Sequence, residues 1–119
     1  MDRLEHMLTI QQTLNETIRQ KRNLTDITPT VWIQKYTLAM LSELAEMLDE
    51  VNFKWWKNPK KLDEAALKEE VVDVLHFFLS MGLAAGLDAE EMYRIYLDKN
   101  AENIARQEGK SQKPGYKVP

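Results

Sequence analysis

A single all-α domain, a bundle of four helices, is predicted by three features of the sequence. The 119 residues include only four Gly and four Pro, and most of these sit where punctuation is expected. Between the breaks lie four segments of helical length, with apolar residues recurring every three or four positions. Runs of β-branched residues with period-two alternation are absent, so no sheet is expected.

The first helix is expected near 2–22, where Leu4, Met7, Leu8, Leu14 and Ile18 share one face. Thr28 followed by Pro29 is a good N-cap with proline at the first helical position, opening a second helix near 29–52. Its apolar face carries Trp32, Tyr36, Ala39, Met40 and Met47. Asn58-Pro59 breaks the middle of the chain, and a third helix follows near 62–84 with Ala66, Leu67, Val74, Phe77 and Met81 on one face. Asp88 with Glu91 reads as a capping box, and Leu87 with Met92 as a hydrophobic staple, so a fourth helix is expected near 88–108. Residues 109–119 read as a polar tail of the same domain.

Composition removes several classes of function. Sixteen Lys and Arg against nineteen Asp and Glu give a net charge of −3, with no block of like charge to wrap a nucleic-acid polymer. The absence of cysteine excludes a disulfide scaffold, a thiolate zinc site and a cysteine nucleophile. No apolar run approaches about 18 residues, so no membrane span is expected, and no apolar signal segment opens the chain. A cytoplasmic protein is the default. The charge is also uneven, because residues 99–119 carry +3 and the first 98 carry −6.

The informative residues are polar ones inside apolar stripes. In the first helix Gln11 lies near the middle of the face, with Asn15 one turn on. In the second, Glu43 is central, with Glu46 and Glu50 close by. In the third, Glu70 lies within the face and Asp73 to one side. A buried, unpaired carboxylate costs several kcal/mol in practice, so such groups protonate, pair or bind a cation. The pairs Glu43/Glu46 and Glu70/Asp73 each have i,i+3 spacing, which puts both members on one side of a helix. If the two helices face each other, four oxygen donors converge, a set suited to Mg²⁺ or Mn²⁺. Any one of these residues alone reads more simply as a solvated charge.

Lys99, Asn103 and Arg106 at i, i+4 and i+7 form a polar stripe suited to an oxyanion, or a solvated basic face near a helix C-terminus. The tryptophans of Phe53-Lys54-Trp55-Trp56-Lys57 fit stacking on a nucleobase as well as anchoring a core or interface. His76, three residues after Asp73, does not make a di-iron site, because Glu-x-x-His would have to occur twice. No Gly-rich phosphate loop and no nucleophile elbow is present.

Glu43-Leu44-Ala45-Glu46 and Glu70-Val71-Val72-Asp73, with 23 residues between them, resemble the paired signature of the all-α NTP pyrophosphatase superfamily. That superfamily includes MazG-like enzymes, dCTP pyrophosphatases and dimeric dUTPases. Residues 7–15 resemble the first-helix motif of the dimeric dUTPases, and residues 53–57 their aromatic-lysine segment. Residues 96–107, with Gly115-Tyr116-Lys117, resemble their C-terminal phosphate-binding motif. One departure is that only 25 residues separate Asp73 from Lys99, where those dUTPases usually carry a longer helical insertion.

The resemblance implies hydrolysis of dUTP to dUMP and pyrophosphate, with dUDP as a further substrate. It implies that Glu43, Glu46, Glu70 and Asp73 bind Mg²⁺, with Mn²⁺ as the alternative ion. Lys99, Asn103, Arg106 and Tyr116 would hold the phosphates. Gln11, Asn15, Trp56, His76 and Phe77 would surround the base, and an amide pair suits uracil because an amide both donates and accepts. Glu46 is assigned to orient the attacking water. Leu41 and Leu48 lie opposite the Glu43 face, so a homodimer, or a larger homo-oligomer, is expected to cover the second helix. The rival readings are a pyrophosphatase acting on dCTP or on several NTPs, and a helical interaction module without enzymatic activity.

Overall fold

The computed structural model describes residues 1–119, all-helical and without strands. Its helices are α1 (Arg3–Lys21), α2 (Pro29–Glu50), α3 (Glu64–Ala84) and α4 (Ala89–Gln107). The expected four helices are all present, and their ends are set by side-chain caps. Asp2 accepts from the Glu5 N–H at 2.8 Å, and Thr28 from Val31 at 3.4 Å. Asp63 accepts from Ala66 at 3.1 Å, and Asp88 from Glu91 at 2.8 Å. Each satisfies one of the amides that a helix start leaves free.

Two boundaries fall two residues inside the expected ones, and both ends of α1 and α4 fall one residue inside. α2 stops at Glu50 because Asn52 takes a left-handed conformation, φ 56°, which ends the helix. The Asn52 side chain then acts as a strand-like clamp. Its Nδ2 donates to the Lys60 carbonyl at 2.8 Å, and its Oδ1 accepts from the Lys60 N–H at 2.9 Å. α3 begins two residues later than the period suggests because Asp63, not a residue before Leu62, is the cap.

The chain divides into two compact units, residues 1–87 and residues 88–119. In the first, α3 is the central element, packing along α2 and against α1. The buried side chains there are as often polar as apolar: Leu8, Tyr36 and Leu79 beside Gln11, Asn15 and Ser80. Burying three polar side chains is tolerable only if they bond to one another. The unit closes at Gly86, φ +86°, after which the Leu87 N–H reaches back to the Gly82 carbonyl at 3.0 Å. A Cβ at Gly86 would meet nothing within 4 Å, so its cost is backbone strain alone. Gly86→Ala is therefore expected to lower unfolding free energy by about 1 kcal/mol in a urea melt.

The second unit is α4 with the segment after it. Residues 109–119 fold back on α4: Ser111 Oγ donates to Glu102 at 2.7 Å, and the Arg106 guanidinium lies 4.9 Å from the centre of the Tyr116 ring. Val118 approaches Gly109, which holds φ +72°. No single helix is long and apolar enough to cross a membrane.

Candidate active site

α2 and α3 pack side by side, so the i,i+3 pairs they carry are brought face to face. Carboxylate oxygens of Glu43, Glu46 and Glu70 all lie within 4.8 Å of one another. Glu43 and Glu70 are half-buried and Glu46 is exposed. The Glu43 carboxyl is pushed up to about 7, first by its burial and then by its contact with the Glu70 carboxyl. The negative charges of Glu46, Glu70 and Asp73 add to the shift. Asp73 therefore belongs to the same electrostatic cluster, although it is exposed. Glu70 Oε2 is buried and has no hydrogen-bond partner.

Like charges at this separation are unfavourable unless a proton or a cation lies between them. An orphaned buried carboxylate oxygen and three converging oxygen-donor side chains fit a hard divalent ion. No histidine is among the three converging groups.

Beside the cluster opens a cavity of about 600 Å³, within the size range of small-molecule sites. Glu43 and Asp73 line it on one side, and Gln11, Asn15, His76, Phe77 and Ser80 elsewhere. The amides and the imidazole are tied together. Gln11 Nε2 donates to Asn15 Oδ1 at 3.0 Å, and Asn15 Nδ2 donates to Ser80 Oγ at 3.0 Å. The Ser80 hydroxyl donates to the His76 carbonyl at 2.8 Å, and His76 Nδ1 lies 2.6 Å from Gln11 Oε1. This network explains how the unit buries Gln11, Asn15 and Ser80.

Four of the five residues expected around a base line this cavity. Trp56 does not. It lies in the segment clamped by Asn52, is 62% exposed, and packs edge-on against Trp55 at 4.7 Å. The cavity's aromatic wall is instead Trp32 stacked on Tyr36 at 5.2 Å, with the Arg19 guanidinium 5.2 Å from the Trp32 ring. The resemblance of residues 53–57 had implied Trp56 at the base, but the left-handed Asn52 turns the chain ahead of it.

Lys35 and Ser80 also line the cavity and were not singled out from sequence. Ser80 had a signal: it is the one hydroxyl in the apolar run Phe77–Met81, placed four residues after His76. Lys35 had none, since a lysine on a helix edge is ordinary.

In the second unit, Lys99, Asn103 and Arg106 share a face of α4, as their spacing requires. Arg106 already has partners there. Its Nε donates to Glu102 at 3.1 Å and its Nη1 to Asn103 Oδ1 at 3.4 Å. The Ser111 hydroxyl and then the Arg106 guanidinium hold the Glu102 carboxyl below the usual carboxylate range. Tyr116, expected beside the phosphate group, stands over Arg106.

Comparison with known proteins is consistent with this geometry. A family model described as dUTPase matches residues 3–88, which include all four carboxylates and the cavity. A dCTP pyrophosphatase of Enterobacteria phage T4 is 33% identical over 85 residues, 60% of this chain and 50% of that protein. A dCTP pyrophosphatase of Enterobacteria phage LZ5 is 46% identical over 46 residues, 39% of this chain and 27% of that protein. A protein of phage T4 named as a DNA replication protein is 32% identical over 77 residues, 53% of this chain and 20% of that protein. Half or less of each relative's length is thus matched. No solved structure gives a significant match.

Proposed function

We propose, from the premise that this chain belongs to the dUTPase family, that it is a Mg²⁺-dependent pyrophosphatase of pyrimidine deoxynucleoside triphosphates, acting on dUTP. The observation that carries this reading is the shared cavity. One space of about 600 Å³ is bordered both by Glu43 and Asp73 of the carboxylate cluster and by an amide-imidazole wall suited to a nucleobase. dUDP is a further substrate in this reading, and Mn²⁺ a substitute ion.

Glu43, Glu46, Glu70 and Asp73 would hold the ion. When bound, it supplies neutralisation of the polyphosphate charge and Lewis-acid assistance. Glu46, the exposed one of the three converged carboxylates, would accept a proton from the attacking water. Water adds at the α-phosphorus, the bond to the bridging oxygen of the β-phosphate breaks, and dUMP and pyrophosphate leave. Gln11, Asn15 and His76 orient the base, and Phe77 with Trp32 supplies its apolar surround. Lys99, Asn103, Arg106 and Tyr116 are the phosphate-holding group, offering a point charge, an amide and a bidentate fork.

The names of the phage relatives favour dCTP as a second reading. A panel of dUTP, dCTP, dTTP and purine triphosphates, assayed for pyrophosphate release in Mg²⁺, separates the two. The expected result is highest kcat/KM for dUTP. Preference for dCTP would transfer the assignment, and preference for purines would end it.

The enzyme is further proposed to work as a homodimer. α2 exposes Leu38, Leu41 and Leu48, and α3 exposes Val71, Leu75 and Phe78. Exposed apolar rows of this kind are the usual mark of an interface. Light scattering is expected to give twice the chain mass, and Leu41→Lys to shift it toward a single chain. A monomeric wild type would remove the dimer from the account.

A further inference from the structure

Trp32 stands between two cavities. It lines the space of about 600 Å³ read as the base site, and also a second space of about 430 Å³ beside it. Along α2, Trp32 lies three turns before Glu43, so the indole bounds the base cavity at the end away from the carboxylates. The two groups set against the ring belong to different cavities. Tyr36, stacked on it at 5.2 Å, lines the base cavity and not the second. Arg19, with its guanidinium 5.2 Å from the ring centre, lines the second cavity and not the base cavity.

Arg19 is held there at a cost. Its Nε is buried and has no hydrogen-bond partner, and its ion pair is with Glu16 on the same helix, at 3.3 Å. An i,i+3 pair of this kind contributes little, and water would satisfy every guanidinium donor if the side chain swung outward. The indole is what favours the inward position, because a cation over a tryptophan ring gains most where water is excluded. The contact joins α1 to the start of α2.

We propose that Arg19 is a positioning residue for the nucleotide. By holding the Trp32 indole as the wall between the two cavities, it keeps the base in the space that Glu43 and Asp73 border. This rests on the reading of that space as the base site. Arg19 is absent from the lining of the base cavity, so it acts only through the ring. Without the guanidinium the indole has the second cavity to turn into, and the base site loses its end wall. A wall of this kind contacts substrate and transition state equally, so its loss raises KM and leaves kcat in place.

Arg19→Ala is expected to raise KM for dUTP at least about fivefold, the scale of one cation–π contact, with kcat within about twofold of wild type. Arg19→Gln, which keeps the stem and drops the charge, should behave alike, and Arg19→Lys should recover most of the loss. The effects of Arg19→Ala and Trp32→Phe should be less than additive, since both act through one ring. ¹H–¹⁵N NMR of the nucleotide-free protein reads the ring itself. Of the three tryptophan indole signals, that of Trp32, identified by its loss in Trp32→Phe, should shift or broaden in Arg19→Ala while the other two stay. An unmoved Trp32 signal, an unchanged KM or additive effects would overturn the inference. A wild type that turns over no pyrimidine nucleotide, with the Trp32 signal still moved by Arg19→Ala, would instead defeat the reading of the cavity, and the positioning role with it.

Discussion

Glu70→Gln is expected to lower pyrophosphate release from dUTP in Mg²⁺ by about 10³-fold, about 4 kcal/mol of activation free energy. Glu70 brings a buried oxygen with no protein partner to within 4.8 Å of the Glu43 and Glu46 carboxylates. Glutamine keeps the shape and removes the charge that a cation needs. The same change should leave metal-free thermal stability unchanged or raised. It replaces a carboxylate pair that repels with an amide able to donate to Glu43. Loss of activity with gain of stability is the signature of a site kept strained for function. A helical interaction module, in which the carboxylates are structural, has no activity to lose. An active Glu70→Gln enzyme would remove the carboxylates from the mechanism.

Metal-free stability is expected to fall as pH rises from about 4.5 through 7, and Mg²⁺ is expected to reverse that slope. Glu43 has an ordinary value of 4.5 and is pushed up to about 7 in the fold, by burial, by Glu70 and by the neighbouring charges. Between those values the folded chain holds a proton that the unfolded chain has released. The unfolded state then binds fewer protons, so this group's contribution is present at low pH and lost as pH rises through the folded value. A divalent ion binds the ionised carboxylates, so its stabilisation should grow across the same window. Melting temperatures of wild type and Glu43→Gln, with and without Mg²⁺, isolate the contribution. The difference between the two proteins should shrink toward acid pH. A difference independent of pH would show that Glu43 does not titrate in this range.

The helices were legible because their signals are local. Thr28-Pro29 and Asp88 with Glu91 each specify a helix start within four residues, and both starts stand where those residues put them. The end of α2 was not legible, because asparagine enters the left-handed region only by context and the Lys60 backbone that Asn52 clamps is eight residues away. The carboxylates were legible by a different route. A charge inside an apolar stripe must be answered by something, and two such pairs on neighbouring helices can answer each other. The same logic found Gln11 and Asn15 but passed over Ser80, since a serine in an apolar helix commonly bonds its own backbone. Ser80 does this as well, and it also accepts from Asn15 across the helix pair. Trp56 was expected at the base from the resemblance of residues 53–57 to a family segment, and it lies away from the cavity lining, 62% exposed. The segment after Gly109 looked like a solvated tail because its anchors, Ser111 on Glu102 and Tyr116 on Arg106, are pairings that composition does not reveal.

The central claim is that one cation-dependent site cleaves a pyrimidine deoxynucleoside triphosphate between its α- and β-phosphates. Product analysis of dUTP incubated with the full chain tests it most directly, with and without Mg²⁺. Equal amounts of dUMP and pyrophosphate are expected with the ion and neither product without it. Release of orthophosphate in place of pyrophosphate, or the same turnover after chelation of all divalent ions, would contradict the account.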